Sequence, residues 1–421
     1  MCKKFCLITV GFLLQLNVFS QTLEYPKWQE GVLELHHIST GRGDAAFYIF
    51  PDGTTMLVDV GDTSETHPRT LSDRNVPLLP NRTKSAPEWI VEYIKQFHPN
   101  NRQKQLDYAL ITHYHDDHFG EVDSTRMYDK KGGYQLTGIT TVGTTLPIKI
   151  VLDRGYNFPV DFKDAKIQQK INEHDSYKMI PTLKNYWKFI EYQKNTNGLE
   201  HQVLQAGVKD QIVLNYFPKK YPNFLVRNIA VNGMVWTGEG DNNYKLYTQD
   251  EYVGENSLST CIKISYGKFD YFTGGDINGV DGLGETDFNR VESHIAPVVG
   301  PVDVATLNHH GNRDSQNKFY VRTIRPRVWI GQTWSSDHPD NNVLRRLLSD
   351  ELYPGERDVF ATAMLASNIS VIGGMIDKYK SKEGHIVVRV YDNGDRYEVY
   401  VLNEKSENRE VKQKFGPYES R

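Results

Sequence analysis

The chain has 421 residues, of which 38% are hydrophobic, 24% charged and 12% aromatic; this is the composition of a folded protein with a large core, and it excludes a disordered or low-complexity chain. The formal charge is −4, from 49 Lys and Arg against 53 Asp and Glu, so no general attraction for nucleic acid or an anionic membrane is expected and any polyanion would have to be held locally.

Lys3 and Lys4 precede an apolar run from Phe5 to Phe19, and Ser20 offers a small residue before Gln21. This pattern predicts a secretory signal peptide at 1–20 and export to the periplasm or beyond. The run contains Gln15 and Asn17 and falls short of the ~20 apolar residues a bilayer requires, so no transmembrane span is expected in the mature chain. Cys2 and Cys6 lie in the leader, leaving Cys261 alone and no internal disulfide.

From Leu33 to Val60, apolar stretches alternate with the turns Gly41-Arg42-Gly43-Asp44 and Pro51-Asp52-Gly53, which predicts short strands joined as hairpins. Pro87 at a helix start, with Trp89, Ile90, Tyr93, Ile94 and Phe97 at helical spacing, predicts a helix over 87–97. Strands are expected at Leu106 to Thr112 and Ile148 to Leu152. The stretch 155–255 is less regular and reads as an insert at the pocket mouth, with a helix near Ile180 to Tyr192 and strands around Gln211 to Tyr216 and Phe224 to Val235. Further strands are expected at Ser259 to Ser265, Phe269 to Thr273, Val302 to Leu307 and Val328 to Ile330, and a helix at Asn342 to Leu348. A hairpin turning at Asp392-Asn393-Gly394 joins Ile386 to Tyr391 with Tyr397 to Leu402. The domain therefore runs over 21–402, and 403–421 reads as a charged, frayed tail.

The strongest chemical signal is Thr112-His113-Tyr114-His115-Asp116-Asp117-His118, directly after an apolar strand. Imidazoles suit zinc and related metals and carboxylates complete such sites, so His113, His115, Asp117 and His118 can serve two ions from one loop. A solvated histidine-rich loop is the bland alternative, but desolvating so many unpaired ionisable groups at a buried strand end costs several kcal/mol. Gly41-x-Gly43-x-x-Ala46 is no dinucleotide fingerprint, because aromatic strand and not helix follows it. His36 and His37 read as structural, and His67, His98, His294 and His385 have no partner motif.

An H-x-H-x-D-H run after a strand resembles the signature of the metallo-β-lactamase superfamily. The segments Thr40 to Asp44, Met56 to Gly61, Asn256-Ser257-Leu258-Ser259, Thr273-Gly274-Gly275-Asp276, His309-His310-Gly311 and His338-Pro339 resemble, in order, the soluble hydrolase domain of ComEC-type competence proteins. The resemblance implies a four-layer αβ/βα sandwich with two mixed sheets face to face and helices outside. It further implies that Asp276 bridges two divalent metal ions, zinc first among them, and that one of His309 and His310 is a ligand while the other contacts substrate. Asp59 would orient a histidine ligand. In chemistry it implies metal-assisted hydrolysis, with Asp117 orienting the nucleophile and the non-ligating histidine of 309/310 serving the departing oxygen. The chain departs from the pattern in one place: between the main cluster and Asp276 only His174 and His201 could supply a further ligand, and Asp153, after the Ile148 strand, is either a better-placed substitute or, at least as readily, a structural turn aspartate. A phosphodiester-type substrate is expected; an ester, lactone or β-lactam, or a binding role without turnover, are the alternatives.

Overall fold

The sequence alternates short strands with amphipathic helices, and the computed structural model describes it over residues 23–99, 105–174, 178–248, 253–282, 286–408 and 410–421. The leader expected at 1–20 lies outside the described residues. Two nine-stranded mixed sheets carry the fold. The first runs, in spatial order, Val411–Glu419, Arg396–Leu402, His385–Tyr391, Leu33–His37, Ala45–Ile49, Thr55–Val60, Leu106–Leu110, Ile148–Asp153 and Glu200–Val203. The second runs Asn243–Lys245, Met234–Trp236, Phe224–Val231, Cys261–Tyr266, Phe269–Thr273, Val304–Thr306, Val328–Gly331, Asp358–Ala361 and Tyr379–Ser381.

Each sheet begins antiparallel and becomes parallel. The parallel part starts at Thr55–Val60 in the first sheet and at Phe269–Thr273 in the second. Open parallel sheets place their ligand sites beyond the carboxyl ends of the strands. Asp59, the His113 to His118 run, Asp276, and His309 with His310 all lie at such ends.

Strand alternation sorts the apolar side chains to two faces. One buried cluster joins Leu35, Tyr48, Val58 and Leu110 of the first sheet to Ile264, Tyr271, Val304 and Ile330 of the second. The opposite face of the first sheet, through Phe47, Leu57 and Ala109, packs on the helices Ala86–Phe97 and Met179–Asn197. The opposite face of the second, through Phe272, Ala305 and Trp329, packs on Val291–Val299, Lys318–Ile324 and Asn341–Leu347. This is a mixed α/β molecule whose sheets share a core, as a sandwich requires. No helix among the described residues is long and apolar enough to cross a membrane.

The predicted helix over 87–97 spans Ala86–Phe97, its first turn closed by the Ser85 amide donating to Glu88 at 2.7 Å. Other expectations need correction. Residues 211–216 are not a strand, because the amides of Asn215, Tyr216 and Phe217 donate to Thr54 Oγ1 and Asp52 Oδ2 at 2.8–3.0 Å instead of to a neighbouring strand. The run from Phe224 to Val235 breaks at Asn232-Gly233, both at positive φ (55° and 68°), and folds into a hairpin. Nor is 155–255 an excursion: it supplies the edge strand Glu200–Val203 of the first sheet and three strands of the second. The tail is not frayed either, since Val411–Glu419 pairs with Arg396–Leu402. Phe415 meets Phe360 and Tyr418 stacks on Tyr397, while Lys412 and Lys414 pair with Glu383 and Glu398 at 3.0 and 2.8 Å. Apolar and charged side chains share this edge strand, and the charges guard its open edge.

His37, fully buried between the sheets, bonds Ile386 O at 3.2 Å and Tyr271 Oη at 3.0 Å. Burial lowers its pKa to about 3. Between about pH 6.5 and 3 the unfolded chain therefore binds a proton that the folded chain refuses, and stability falls as pH falls. His37→Gln, which keeps both bonds, is expected to flatten the pH dependence of the unfolding free energy in that window by about 1.4 kcal/mol per pH unit, read from urea titrations.

Candidate metal centre

The His113 to His118 run leaves the strand Leu106–Leu110 and closes into a single turn of helix, Asp116–Phe119. Two backbone segments pin it: Asp44 N donates to Asp117 O at 2.7 Å and Asp62 N to Asp116 O at 3.1 Å. The approach is so close that a Cβ on Gly43 or Gly61 would stand 2.0 or 2.3 Å from Asp117 O. Both positions must therefore be glycine.

From the second sheet come Asp276, after Phe269–Thr273, and His309 with His310, after Val304–Thr306. The two histidines have left-handed backbones, φ 46° and 56°, a conformation that costs roughly 1–2 kcal/mol per residue and persists only where the surroundings impose it. Glu292 imposes it. Its fully buried carboxylate accepts from Asn308 Nδ2, Gln316 N and Asn317 N, each at 2.7 Å. Burial pushes the Glu292 carboxyl up to about 7 despite those donors.

The donors fall into two groups that share Asp276, His113 and His115 in one and Asp44, His118 and His310 in the other, with Asp117 beside the second. In one, His113 Nε2 lies 3.2 Å from His115 Nδ1 and 3.8 Å from Asp276 Oδ2. In the other, His118 Nε2 lies 3.1 Å from Asp276 Oδ1 and 3.4 Å from His310 Nε2, while His310 Nε2 lies 3.0 Å from Asp117 Oδ2 and 3.3 Å from Asp276 Oδ2. Ligand atoms around a tetrahedral ion at 2.0–2.1 Å are ~3.3–3.4 Å apart, so these spacings suit a zinc-like ion.

The outer nitrogens decide what the inner ones do. His118 Nδ1 is 2.8 Å from Asp59 Oδ2, and His310 Nδ1 is 2.9 Å from Asp44 Oδ1. Those carboxylates take the Nδ1 protons and turn the Nε2 lone pairs inward, onto the carboxylates of Asp117 and Asp276. Lone pairs facing carboxylates demand positive charge between them. Without a metal the demand falls on protons: burial alone would depress His118 and His310, but Asp276, with Asp117, Asp59 and Asp44, overrides it and holds both well above the usual histidine range. His113 goes the other way, depressed by burial and by His118. Asp276 stays well below the carboxylate range against its burial, through His118, His310 and His309. The residues present fit a bound metal ion.

Asp59 serves this arrangement through an uncommon positive φ of 58°, accepting Thr112 N and Oγ1 at 2.7 Å each as well as His118. Of the adjacent histidines, His310 joins the second group. His309 stands at the mouth, 19% exposed, with Nδ1 2.6 Å from Asp314 Oδ1, and Nε2 3.2 Å from Asn256 Nδ2 and 3.9 Å from Asp276. Asp153 stands apart from both groups: it is spent on His201 Nε2 (2.8 Å), Tyr186 Oη (2.9 Å) and Gly155 N (2.8 Å). The first group thus has three donors, the number at which catalytic zinc sites keep a position open.

Two residues escaped the sequence reading. Asp44 lay inside a quoted segment but read as a turn residue. Glu292 had a signal: it shares the buried face of its helix with Ile295, Ala296 and Val299, where a carboxylate is out of place.

Above the donors opens a cleft of about 340 Å³, lined by His115, Asp117, Asp276, His309 and His310 on one side and by Arg69, Arg74, Trp334 and His338 on another. Among the described residues, none from 155–255 lines it, and Asn256 directly after that stretch does. His338, which the sequence placed only by resemblance, stacks on His310 at 4.5 Å. No family model matches the chain and no curated protein matches it, so the site has to be read from its own geometry.

Asp59→Ala and Asp44→Ala, each removing the partner of an outer nitrogen, are expected to weaken metal affinity about 10–100-fold in chelator competition. Asp153→Asn is expected to leave it unchanged.

Proposed function

We propose that the protein is an exported hydrolase of the metallo-β-lactamase type that uses two divalent ions, zinc first among them, on a phosphodiester-type substrate. The single observation that carries this reading is the pair of donor groups sharing Asp276 at the floor of an open cleft. A structural site would be closed by its ligands; here a cleft reaches the donors. Such ions, when bound, lower the pKa of a water towards ~7 and neutralise charge developing on the attacked oxygen.

The chain's own residues supply the rest. His113, His115 and Asp276 would hold one ion, and His118, His310 and Asp276, with Asp44 or Asp117, the other. Asp117 also faces the cleft, where it can orient the attacking water. His309, with Asp314 fixing the ring from behind, stands at the cleft and would give a proton to the departing oxygen from Nε2 in its imidazolium form, with the Asn256 amide NH2 turned away from that nitrogen. Asn256, 3.2 Å from that nitrogen, limits how the ring can turn. Arginines in the cleft wall favour an anionic substrate over a neutral ester, lactone or β-lactam. Export is supported by the leader pattern of residues 1–20.

Elemental analysis of the purified chain is expected to give about two metals per chain, as in two-metal hydrolases. Hydrolysis of bis(p-nitrophenyl) phosphate is expected to stop with chelator and to fall by roughly a hundredfold or more in His115→Ala, beyond the 10–100-fold typical of an orienting partner. Metal without phosphodiester turnover would redirect the substrate to carbonyl compounds. No metal, and equal rates in both proteins, would leave a binding protein.

A further inference from the structure

A wall of the cleft is built from two loops, of which the sequence motifs include only His338-Pro339. The segment 62–80 and the loop 332–340 are stitched by Val76 N to Trp334 O at 2.8 Å and Ser336 N to Arg74 O at 2.7 Å. Three features meet on this wall. Arg69 reaches Asp116 Oδ1 at 3.3 Å and lies 5.8 Å from the ring centre of Trp334. Arg74 is exposed, touches Ser336 Oγ at 3.4 Å, and makes no ion pair among the described residues. His338, 4% exposed, and Trp334, 5% exposed, line the same wall, and His338 Nδ1 and Trp334 Nε1 are buried without a hydrogen-bond partner.

Arg74 also lines the adjoining recess, with His309, Asn312, Arg313, Asp314, Asp337 and Asp340. Asp337 offsets part of its charge, but the guanidinium still stands where the two cavities join. Guanidinium groups match phosphoryl oxygens in geometry and charge, and hold them by paired charge-assisted bonds.

We infer that Arg74, with Arg69 beside it, forms an anion subsite that holds a second phosphoryl group of the substrate, next to the one at the metal donors. This rests on the phosphoester reading above and narrows it: the substrate carries at least two phosphoryl groups within one cleft length, as a chain of phosphodiesters or a phosphorylated end does. A substrate with one phosphoryl group fills half the site.

The test is equilibrium binding by calorimetry of propyl phosphate and of 1,3-propanediol bisphosphate to the metal-loaded full chain. The bisphosphate is expected to bind roughly tenfold or more tightly than the monophosphate. Arg74→Ala is expected to erase that difference by weakening the bisphosphate roughly tenfold more than propyl phosphate, and Arg74→Lys to retain part of it; unchanged thermal unfolding of both variants serves as the folding control. Equal affinities for the two probes in the unaltered protein, or equal loss of both in Arg74→Ala, would overturn the subsite. Turnover of bis(p-nitrophenyl) phosphate on the same preparations separates the two readings. Differential binding without turnover sinks the phosphodiesterase reading and keeps the subsite; turnover without differential binding does the reverse.

Discussion

Asp276 is a buried carboxylate set between imidazoles from two sheets, and the rest of the molecule is arranged around the charge it represents. An ionised carboxylate taken out of water must be compensated locally, or it takes up a proton and ceases to be a charge. Here compensation comes from three directions at once, from His118, His310 and His309. Each of those rings is held from behind by a further carboxylate: Asp59, Asp44 and Asp314 respectively. Carboxylate, imidazole, carboxylate is therefore the repeated unit of the site, and the unit is balanced only by cations at its centre.

Holding that unit still requires rigid backbone in unfavourable places. Asp59, His309 and His310 all lie at positive φ, and Gly43 and Gly61 allow main chain to press on main chain beneath Asp117. Such strain survives where hydrogen bonds over-determine it. Glu292 under the His309 loop, and the amides of Asp44 and Asp62 under the His115 turn, supply them. The buried Arg154–Glu255 pair, 2.6 Å apart, adds another tie, because Glu255 also accepts Tyr114 N at 3.0 Å, between two of the histidines.

Much of this was legible in the sequence wherever local pattern decides structure. Alternation gave the hairpins, the spacing of Trp89 to Phe97 gave a helix, and the histidine run gave the donors. Residues 211–216 misled because their amides serve a distant turn through Thr54 and Asp52, and no local pattern encodes that. The strand Val411–Glu419 misled because the apolar members of an edge strand are sparse and its lysines read as a solvated tail. Which of His309 and His310 turns inward depends on two left-handed residues, which strand alternation does not anticipate. Asp153 looked like a donor because it ends a parallel strand, but its actual neighbours, His201 and Tyr186, come from elements far along the chain.

The donors are divided between the sheets: His113 to His118 follow a strand of the first, Asp276 and His310 follow strands of the second. Closer to the core, side chains such as His37, Tyr48 and Tyr271, and the bond from Thr260 N to Thr112 O at 3.0 Å, tie the two together. An ion gripped by donors from both halves is a cross-link between them. Its binding free energy is then also cohesion between the halves, added as RT ln(1 + [L]/Kd) to whatever the apolar core provides. The resistance of this molecule to unfolding would accordingly follow the free metal concentration of its surroundings, and a compartment poor in that metal would hold a looser protein.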